Sequence, residues 1–144
     1  MAETPVKYLL DTSVVIKWFR TEEADVATAL KLAEDHVEGR AVLLLADWLF
    51  CELANALRFK PGMTAITVKR ALSALEDLSP EVVGLSGALM RKAVEVAYET
   101  GLTVYDALFI ASAAQERVPL VTADRRLAHK AARFARTFLL ADLA

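Results

Sequence analysis

Short apolar runs alternate with longer stretches of helical periodicity along this chain. The runs at residues 6–10 and 41–46 contain strand-forming side chains and no strong turn residue, so each predicts a β-strand. The second run is apolar throughout, as is typical of a strand buried on both faces. Further strands are predicted at residues 81–85, 118–122 and 137–140. The alternation predicts an α/β fold in which helices cover both faces of a central parallel β-sheet.

Helical segments connect the predicted strands, and their ends carry boundary signals. Asp47 is a good N-cap residue, and Gly101 is typical of a helix C-terminus. The prediction for residues 22–38 depends on side chains such as Leu30 and Val37, which recur near helical spacing. We therefore predict helices over residues 13–19, 22–38, 47–60, 64–78, 86–100, 103–116 and 124–133.

Two carboxylates come at the ends of predicted strands. Asp11 comes after the strand at 6–10, and Asp124 follows the strand at 118–122. Open α/β sheets bind ligands beyond the carboxyl ends of their strands, so both residues are candidates for a functional site. Each also has a simpler explanation, because Asp is a common turn and helix-capping residue.

Two further acidic residues share helix faces with apolar side chains. On a helical wheel Glu52 lies within the apolar arc that contains Leu49 and Leu53. Glu is rarely buried unless it is paired or binds a metal, and a salt bridge is the alternative explanation here. Asp106 also points towards apolar residues of its helix, although its position three residues after Thr103 would suit a capping box.

Convergence of these four carboxylates would create a cluster of like charges. Such a cluster repels itself and raises the pKa values of its members unless a cation binds. Oxygen ligands without His or Cys select Mg²⁺ or Mn²⁺ rather than Zn²⁺. The two histidines, His36 and His129, adjoin none of the acidic motifs, which argues against a zinc site and against His general-base catalysis.

Four segments of the chain resemble the motifs of a known family, in order and in spacing. They are LLDTSVVIKWF at 9–19, CELANAL at 51–57, VYDALFIASA at 104–113 and LVTADRRL at 120–127. The chain is similar to the PIN-domain ribonucleases, and among them to the VapC-type toxins of toxin–antitoxin systems. The resemblance implies one PIN-like nuclease domain over residues 1–144, with a parallel sheet sandwiched between helices. It also implies a site that binds one or two Mg²⁺ or Mn²⁺ ions and cleaves RNA phosphodiester bonds.

The site residues follow from the same resemblance. The catalytic and metal-binding acidic residues that it implies are Asp11, Glu52, Asp106 and Asp124. The supporting hydroxyl groups beside the first and the last of these are Thr12 or Ser13, and Thr122. Family members of this kind usually form homodimers and are inhibited by a small cognate antitoxin protein, so both partners are expected here.

Net charge is −2, which by itself gives no sign of a nucleic-acid-binding protein. Residues 117–136, however, contain six basic residues and one acidic residue. Either this segment presents an ordinary solvated helix face, or it contacts RNA phosphates. The RNA-binding candidates are Arg125, Arg126, Lys130 and Arg133.

Hydrophobic residues make up 56% of the chain, more than is usual for a soluble domain. Trp18, Phe19 and Trp48 therefore either belong to the core or contribute to a partner surface. No apolar run is long enough to span a membrane, and no signal peptide is expected. Cys51 is the only cysteine, and a reducing cytoplasm is the expected compartment.

Two alternative functions remain open at this point. Haloacid-dehalogenase-type phosphatases also begin with a strand that ends in Asp, but they need a second Asp two residues later, where this chain has Ser13. The other alternative is a PIN-like module that binds RNA or protein without catalysis. An intact acidic quartet argues against it, because buried carboxylates are costly to retain.

Overall fold

The computed structural model describes residues 4–144, so the first three residues of the predicted domain lie outside it. The strands are β1 (Val6–Leu10), β2 (Ala41–Ala46), β3 (Glu81–Val83), β4 (Leu120–Thr122) and β5 (Thr137–Leu139). The helices are α1 (Thr12–Val15), α2 (Val26–Val37), α3 (Leu49–Arg58), α4 (Ala65–Leu78), α5 (Gly87–Thr100), α6 (Val104–Glu116) and α7 (Arg125–Ala131). Short 3₁₀ helices cover Ile16–Trp18 and Leu140–Leu143. Across residues 4–144 every helix is too short or too polar to cross a membrane.

The five strands form one sheet in the order β3-β2-β1-β4-β5, and all neighbouring strands are parallel. The predicted α/β fold with a parallel sheet is therefore confirmed. β1 lies in the centre of the sheet, and Leu10 at its end is level with Val121 of β4. Because the two strands run in the same direction, the residues that follow them emerge side by side at one edge of the sheet.

The core consists mainly of leucines contributed by the sheet and by the helices on both of its faces. Leu9, Leu43 and Leu45 of the central strands are fully buried. Burying one such side chain is worth about 1.5–3 kcal/mol. Helix α6 is buried at every position from 107 to 113, as its continuous apolar sequence predicts. This burial fixes the position of α6 in the core. The first turn of the helix, which contains Asp106, is less buried.

Capping interactions define two helix starts and one helix end. The hydroxyl of Thr64 accepts a hydrogen bond from the backbone N–H of Thr67 and begins α4. The Ser86 hydroxyl accepts from Leu89 at the start of α5. Gly101 ends α5 with φ of 74°, a left-handed conformation that favours glycine.

Helix α2 departs from its prediction in both its start and its buried face. It begins at Val26 rather than at residue 22, because Asp25 adopts a left-handed conformation with φ of 59°. Leu30 and Val37, whose spacing predicted the helix, are 45% and 73% exposed. The buried face instead includes Ala29, so the helical periodicity was real but indicated the wrong face.

Three other predicted boundaries are also corrected. Asp47 does not cap α3; its carboxylate accepts a hydrogen bond from the backbone N–H of Leu85 at 3.1 Å. Strand β4 begins at Leu120 rather than at 118, because the backbone N–H of Val118 bonds to Ala113 at the end of α6. Helix α7 ends at residue 131 instead of 133.

Candidate active site

Asp11 lies directly beyond β1 and is buried, with 6% of its surface exposed. The Ser13 hydroxyl donates to its Oδ1 at 2.5 Å, and the Thr122 hydroxyl donates to its Oδ2 at 2.6 Å. Burial raises the pKa of Asp11 to about 6, although both hydroxyl groups oppose this increase. The negative charge of Asp106 raises it further. Two hydrogen bonds therefore fix the orientation of the Asp11 carboxylate, and burial disfavours its ionised form.

The segments after β1 and β4 are tied together by these same hydroxyl groups. The backbone N–H of Ala123 donates to the oxygen of Ser13 at 2.9 Å. The backbone N–H of Asp124 donates to the oxygen of Thr122 at 3.1 Å. Each hydroxyl thus accepts from the β4 segment while it donates to Asp11, and the two strand ends are locked in register.

Glu52 projects from the first turn of α3 and is half-buried. The Thr12 hydroxyl donates to its Oε2 at 2.7 Å. Burial raises the pKa of Glu52, and the charge of Asp106 adds to the increase. Within residues 4–144 no Lys, Arg or His forms a salt bridge with Glu52, so the salt-bridge explanation is wrong for the described chain. Thr12 and Ser13 therefore both serve the site, each on a different carboxylate.

Asp106 couples the four carboxylates electrostatically. It is half-buried in the first turn of α6, and burial followed by the charge of Asp124 raises its pKa. Its own charge in turn raises the pKa values of Asp11 and Glu52. Arg126 is the cation that opposes the increase at Asp106. The charges of these carboxylates thus act on one another in pairs, and each pair includes Asp106.

Asp124 combines a capping role with its place in this cluster. Its Oδ1 accepts hydrogen bonds from the backbone N–H groups of Arg126 and Leu127, at 2.9 and 3.1 Å. Asp124 is exposed, and its charge still acts on Asp106. The capping explanation is therefore correct, and it does not exclude Asp124 from the site.

The donor chemistry of this cluster fits a hard divalent cation such as Mg²⁺ or Mn²⁺. All of its ligand atoms are oxygens, and burial and mutual repulsion raise the pKa values of Asp11, Glu52 and Asp106. Within residues 4–144, however, no three His, Cys, Asp or Glu side chains are arranged to hold a metal ion among them. Mg²⁺ usually takes only one or two carboxylates and keeps several waters, so an open cluster suits it better than a closed cage would.

The four predicted RNA-binding residues separate into two pairs. Lys130 donates to the carbonyl oxygen of Thr100 at 2.6 Å, and Arg133 pairs with Glu99 at 3.0 Å. These contacts attach α7 and the residues just after it to the end of α5. Arg125 and Arg126 are exposed, and within residues 4–144 their side chains form no hydrogen bond or salt bridge. The predicted basic strip is thus reduced to two free arginines beside the acidic cluster.

The three aromatic residues considered for a partner surface are partly buried against the core. Trp18 donates its indole N–H to the carbonyl oxygen of Ala29 at 2.7 Å, and the Trp48 ring packs on Phe109 with centroids 5.7 Å apart. Sequence reasoning overlooked a different set, the aromatic side chains that the fold leaves in solvent. They are Phe59, Tyr98 and Tyr105, which are 71%, 87% and 70% exposed.

The chain belongs to the PIN domain family, whose family model matches residues 8–133. No curated protein gives a significant sequence match. The assignment to this family thus rests on the family-model match over most of the chain. The fold and the acidic motifs described above agree with it.

Solved structures share this fold at low sequence identity. PAE2754 from Pyrobaculum aerophilum is 26% identical, with a TM-score of 0.67 over 96% of this chain and 89% of that one. VapC20 from Mycobacterium tuberculosis, described as a Sarcin-Ricin loop cleaving toxin, is 18% identical, with a TM-score of 0.70 over 89% and 96%. VapBC2 from Rickettsia felis, bound to a promoter DNA fragment, is 18% identical, with a TM-score of 0.61 over 93% of this chain and 98% of that one. The chain therefore has the same fold as these proteins.

Proposed function

We propose that this protein is a metal-dependent endoribonuclease of the VapC type, which acts through one nuclease domain over residues 1–144. The observation that carries the proposal is the coupling of four carboxylates around Asp106, at the edge where β1 and β4 end. Carboxylates with unrelated capping roles would not be close enough for the charge of Asp106 to raise the pKa values of Asp11 and Glu52. The description of VapC20 as a toxin that cleaves the Sarcin-Ricin loop supports RNA as the substrate class.

Asp11 and Asp106 would be the principal ligands of a Mg²⁺ or Mn²⁺ ion. Asp124 would contribute directly or through water, from the carboxylate oxygen that does not cap α7. A divalent ion held by these residues would neutralise charge on the phosphate and would lower the pKa of a bound water. Glu52 would hold a second ion or orient the attacking water.

The chain's own side chains would prepare this site before any substrate arrives. Ser13 and Thr122 fix both oxygens of Asp11, so the orientation of this carboxylate is set by strand pairing. Thr12 holds Oε2 of Glu52, which leaves Oε1 to accept a hydrogen bond from the attacking water. Arg125 and Arg126 would contact the phosphates next to the one that is cleaved.

A cognate antitoxin and a second copy of the chain are the protein partners that we propose. The Rickettsia felis neighbour is a VapBC complex, which supports an antitoxin for this chain as well. Charge complementarity favours an antitoxin segment that places an Arg or Lys against the acidic cluster. Light scattering at tens of micromolar would test the homodimer, and a monomer would contradict it. Cytoplasmic RNA and a free Cys51 would suit an intracellular enzyme.

Incubation of the purified, antitoxin-free protein with whole-cell RNA tests the function directly. We expect discrete cleavage products with Mg²⁺ or Mn²⁺, and none with EDTA or with the Asp106→Asn variant. The absence of cleavage with either metal would contradict the enzymatic proposal. Metal-dependent RNA binding without turnover would instead favour the inactive PIN-like module, and hydrolysis of small phosphate monoesters would favour another phosphoryl-transfer enzyme.

A further inference from the structure

Tyr105 is a large aromatic side chain that the fold leaves in solvent beside the acidic cluster. It is the second residue of α6 and directly precedes Asp106. The residues three and four positions further along the same helix face, Leu108 and Phe109, are 4% and 2% exposed, whereas Tyr105 is 70% exposed. Tyr105 thus lies in the same first turn of α6 as Asp106, but its side chain stays in solvent.

Tyr105 has no evident structural role within residues 4–144. Its hydroxyl forms no hydrogen bond there, and its ring forms no aromatic pair. An exposed Tyr at the start of a helix adds little to folding, because the ring stays hydrated. A surface Tyr that loses few rotamers on binding is, however, an efficient contact group for a ligand.

The surroundings of Tyr105 favour a nucleic acid over a protein as its ligand. Asp106 is adjacent in sequence, and Arg126 is close enough to lower the pKa of Asp106. Arg125 and Arg126 are exposed and form no salt bridge within residues 4–144, so this part of the surface favours an anionic ligand. A single RNA strand brings a base for the ring, phosphates for Arg125 and Arg126, and the phosphodiester for the carboxylates.

We propose that Tyr105 stacks on an unpaired base of the RNA and thereby positions the adjoining phosphate at the acidic cluster. The proposal rests on the function proposed above, and it assigns the contact with an unpaired base to Tyr105. A tyrosine ring stacks on every base, so this contact selects unpaired structure rather than a particular nucleotide.

Anisotropy of fluorescein-labelled single-stranded RNA oligomers, measured with Ca²⁺, tests the stacking. We expect Tyr105→Ala to weaken binding by roughly 5- to 150-fold, which corresponds to the loss of one stacked base. Tyr105→Phe and Tyr105→Trp should retain affinity, whereas Tyr105→Leu should resemble the Ala variant because it lacks an aromatic face. Tyr98→Ala is the matched control: Tyr98 is more exposed, but its neighbour Glu99 pairs with Arg133 rather than with the acidic cluster.

Oligomers with an abasic residue at successive positions supply a second readout. Removing one particular base should weaken binding to the wild-type protein and have no further effect on Tyr105→Ala. Wild-type affinity in Tyr105→Ala, rescue by Leu, or an equal loss in Tyr98→Ala would overturn the proposal. So would a changed molecular weight in light scattering with unchanged RNA affinity, since Tyr105 would then belong to a protein interface.

The same experiment distinguishes this proposal from the proposed function. If the wild-type protein cleaves RNA and Tyr105→Ala cleaves and binds it equally well, only the stacking proposal fails. If the wild-type protein neither binds nor cleaves any RNA, both proposals fail. Thermal melts of each variant should match the wild-type melt, because the substituted side chains are exposed.

Discussion

Thr122, the last residue of β4, donates a 2.6 Å hydrogen bond to Oδ2 of Asp11, the residue that follows β1. The two residues are 111 positions apart in sequence, and the pairing of β1 with β4 brings them together. Both are buried, so little water can replace this bond. The geometry of the acidic site is therefore fixed by the most central part of the sheet, and a fault at Thr122 should appear in both stability and activity.

Thr122→Val removes this hydroxyl with little change in shape. We expect a loss of about 1.5–3 kcal/mol in unfolding free energy at neutral pH, because an ionised buried Asp11 loses a donor. RNA cleavage should fall as Asp11 loses its fixed orientation. Urea denaturation and cleavage rates would measure both effects.

Thr122→Ser provides the control for that substitution, since it keeps the hydroxyl and removes one methyl group. It should lie much closer to the wild-type protein in both assays. Equal losses in the Val and Ser variants would indicate that packing, and not the hydrogen bond to Asp11, is what Thr122 contributes.

The raised pKa of Asp11 predicts a pH dependence of stability in the metal-free protein. The folded state binds this proton more tightly than the unfolded chain does, because the pKa is about 6 instead of 3.8. The ionised Asp11 therefore costs about 3 kcal/mol above pH 6, and this cost disappears as the pH falls from 6 towards 4. Urea midpoints in EDTA should show the wild-type protein gaining stability relative to Asp11→Asn over that interval. A constant difference between the two proteins would contradict the prediction.

The sequence predicted the parallel sheet well, because the sheet depends on strong local signals. Continuous apolar runs indicate buried parallel strands, and the Asp candidates Asp11 and Asp124 come one and two residues after their strands. The face of α2 could not be predicted in this way. Its apolar residues are spread around the helix, and burial of Ala29 in place of Leu30 is decided by what packs against it.

Side-chain contacts between residues that are distant in sequence also could not be predicted. Thr12 and Ser13 are equivalent by local reasoning, and the fold gives Thr12 to Glu52 and Ser13 to Asp11. The sequence indicates Lys130 and Arg133 as RNA-binding candidates, and only the structure shows their contacts with Thr100 and Glu99 at the end of α5. The partners of Thr12, Lys130 and Arg133 lie 30 or more residues away in sequence. Only the partner of Ser13, Asp11, is close in sequence.

The two free arginines should account for most of the salt dependence of RNA binding that α7 provides. Replacing Arg125 and Arg126 with Ala should reduce the slope of log K against log salt by about 1.4, or 0.7 for each lost phosphate contact. The matched double variant of Lys130 and Arg133 should change the slope less and lower the melting temperature, because these residues are engaged with α5. An unchanged slope in the first variant would mean that Arg125 and Arg126 form only a solvated surface.

The Asp106→Asn variant distinguishes two explanations of the four carboxylates: a shared metal site, and four independent helix caps. Asn has nearly the shape of Asp without its charge, so the substitution removes the repulsion that Asp106 exerts on Asp11 and Glu52. We expect RNA cleavage to be abolished and the metal-free variant to be as stable as the wild-type protein, or more stable. Thermal melting in EDTA and in millimolar Mn²⁺ would measure this. The stabilisation that Mn²⁺ provides by mass action should shrink in the variant.

The opposite sign is expected if Asp106 serves only the start of α6. Loss of its charge would then remove a favourable interaction with the helix dipole, worth about 0.3–1 kcal/mol, and the response to Mn²⁺ would not change. Thr103→Ala is a suitable comparison, because the Thr103 hydroxyl accepts from the backbone N–H of Asp106 and caps the same helix without belonging to the carboxylate cluster. It should destabilise the protein by about 1 kcal/mol in EDTA and keep the full Mn²⁺ shift. An Asp106→Asn protein that behaves like Thr103→Ala in both conditions would contradict the shared site.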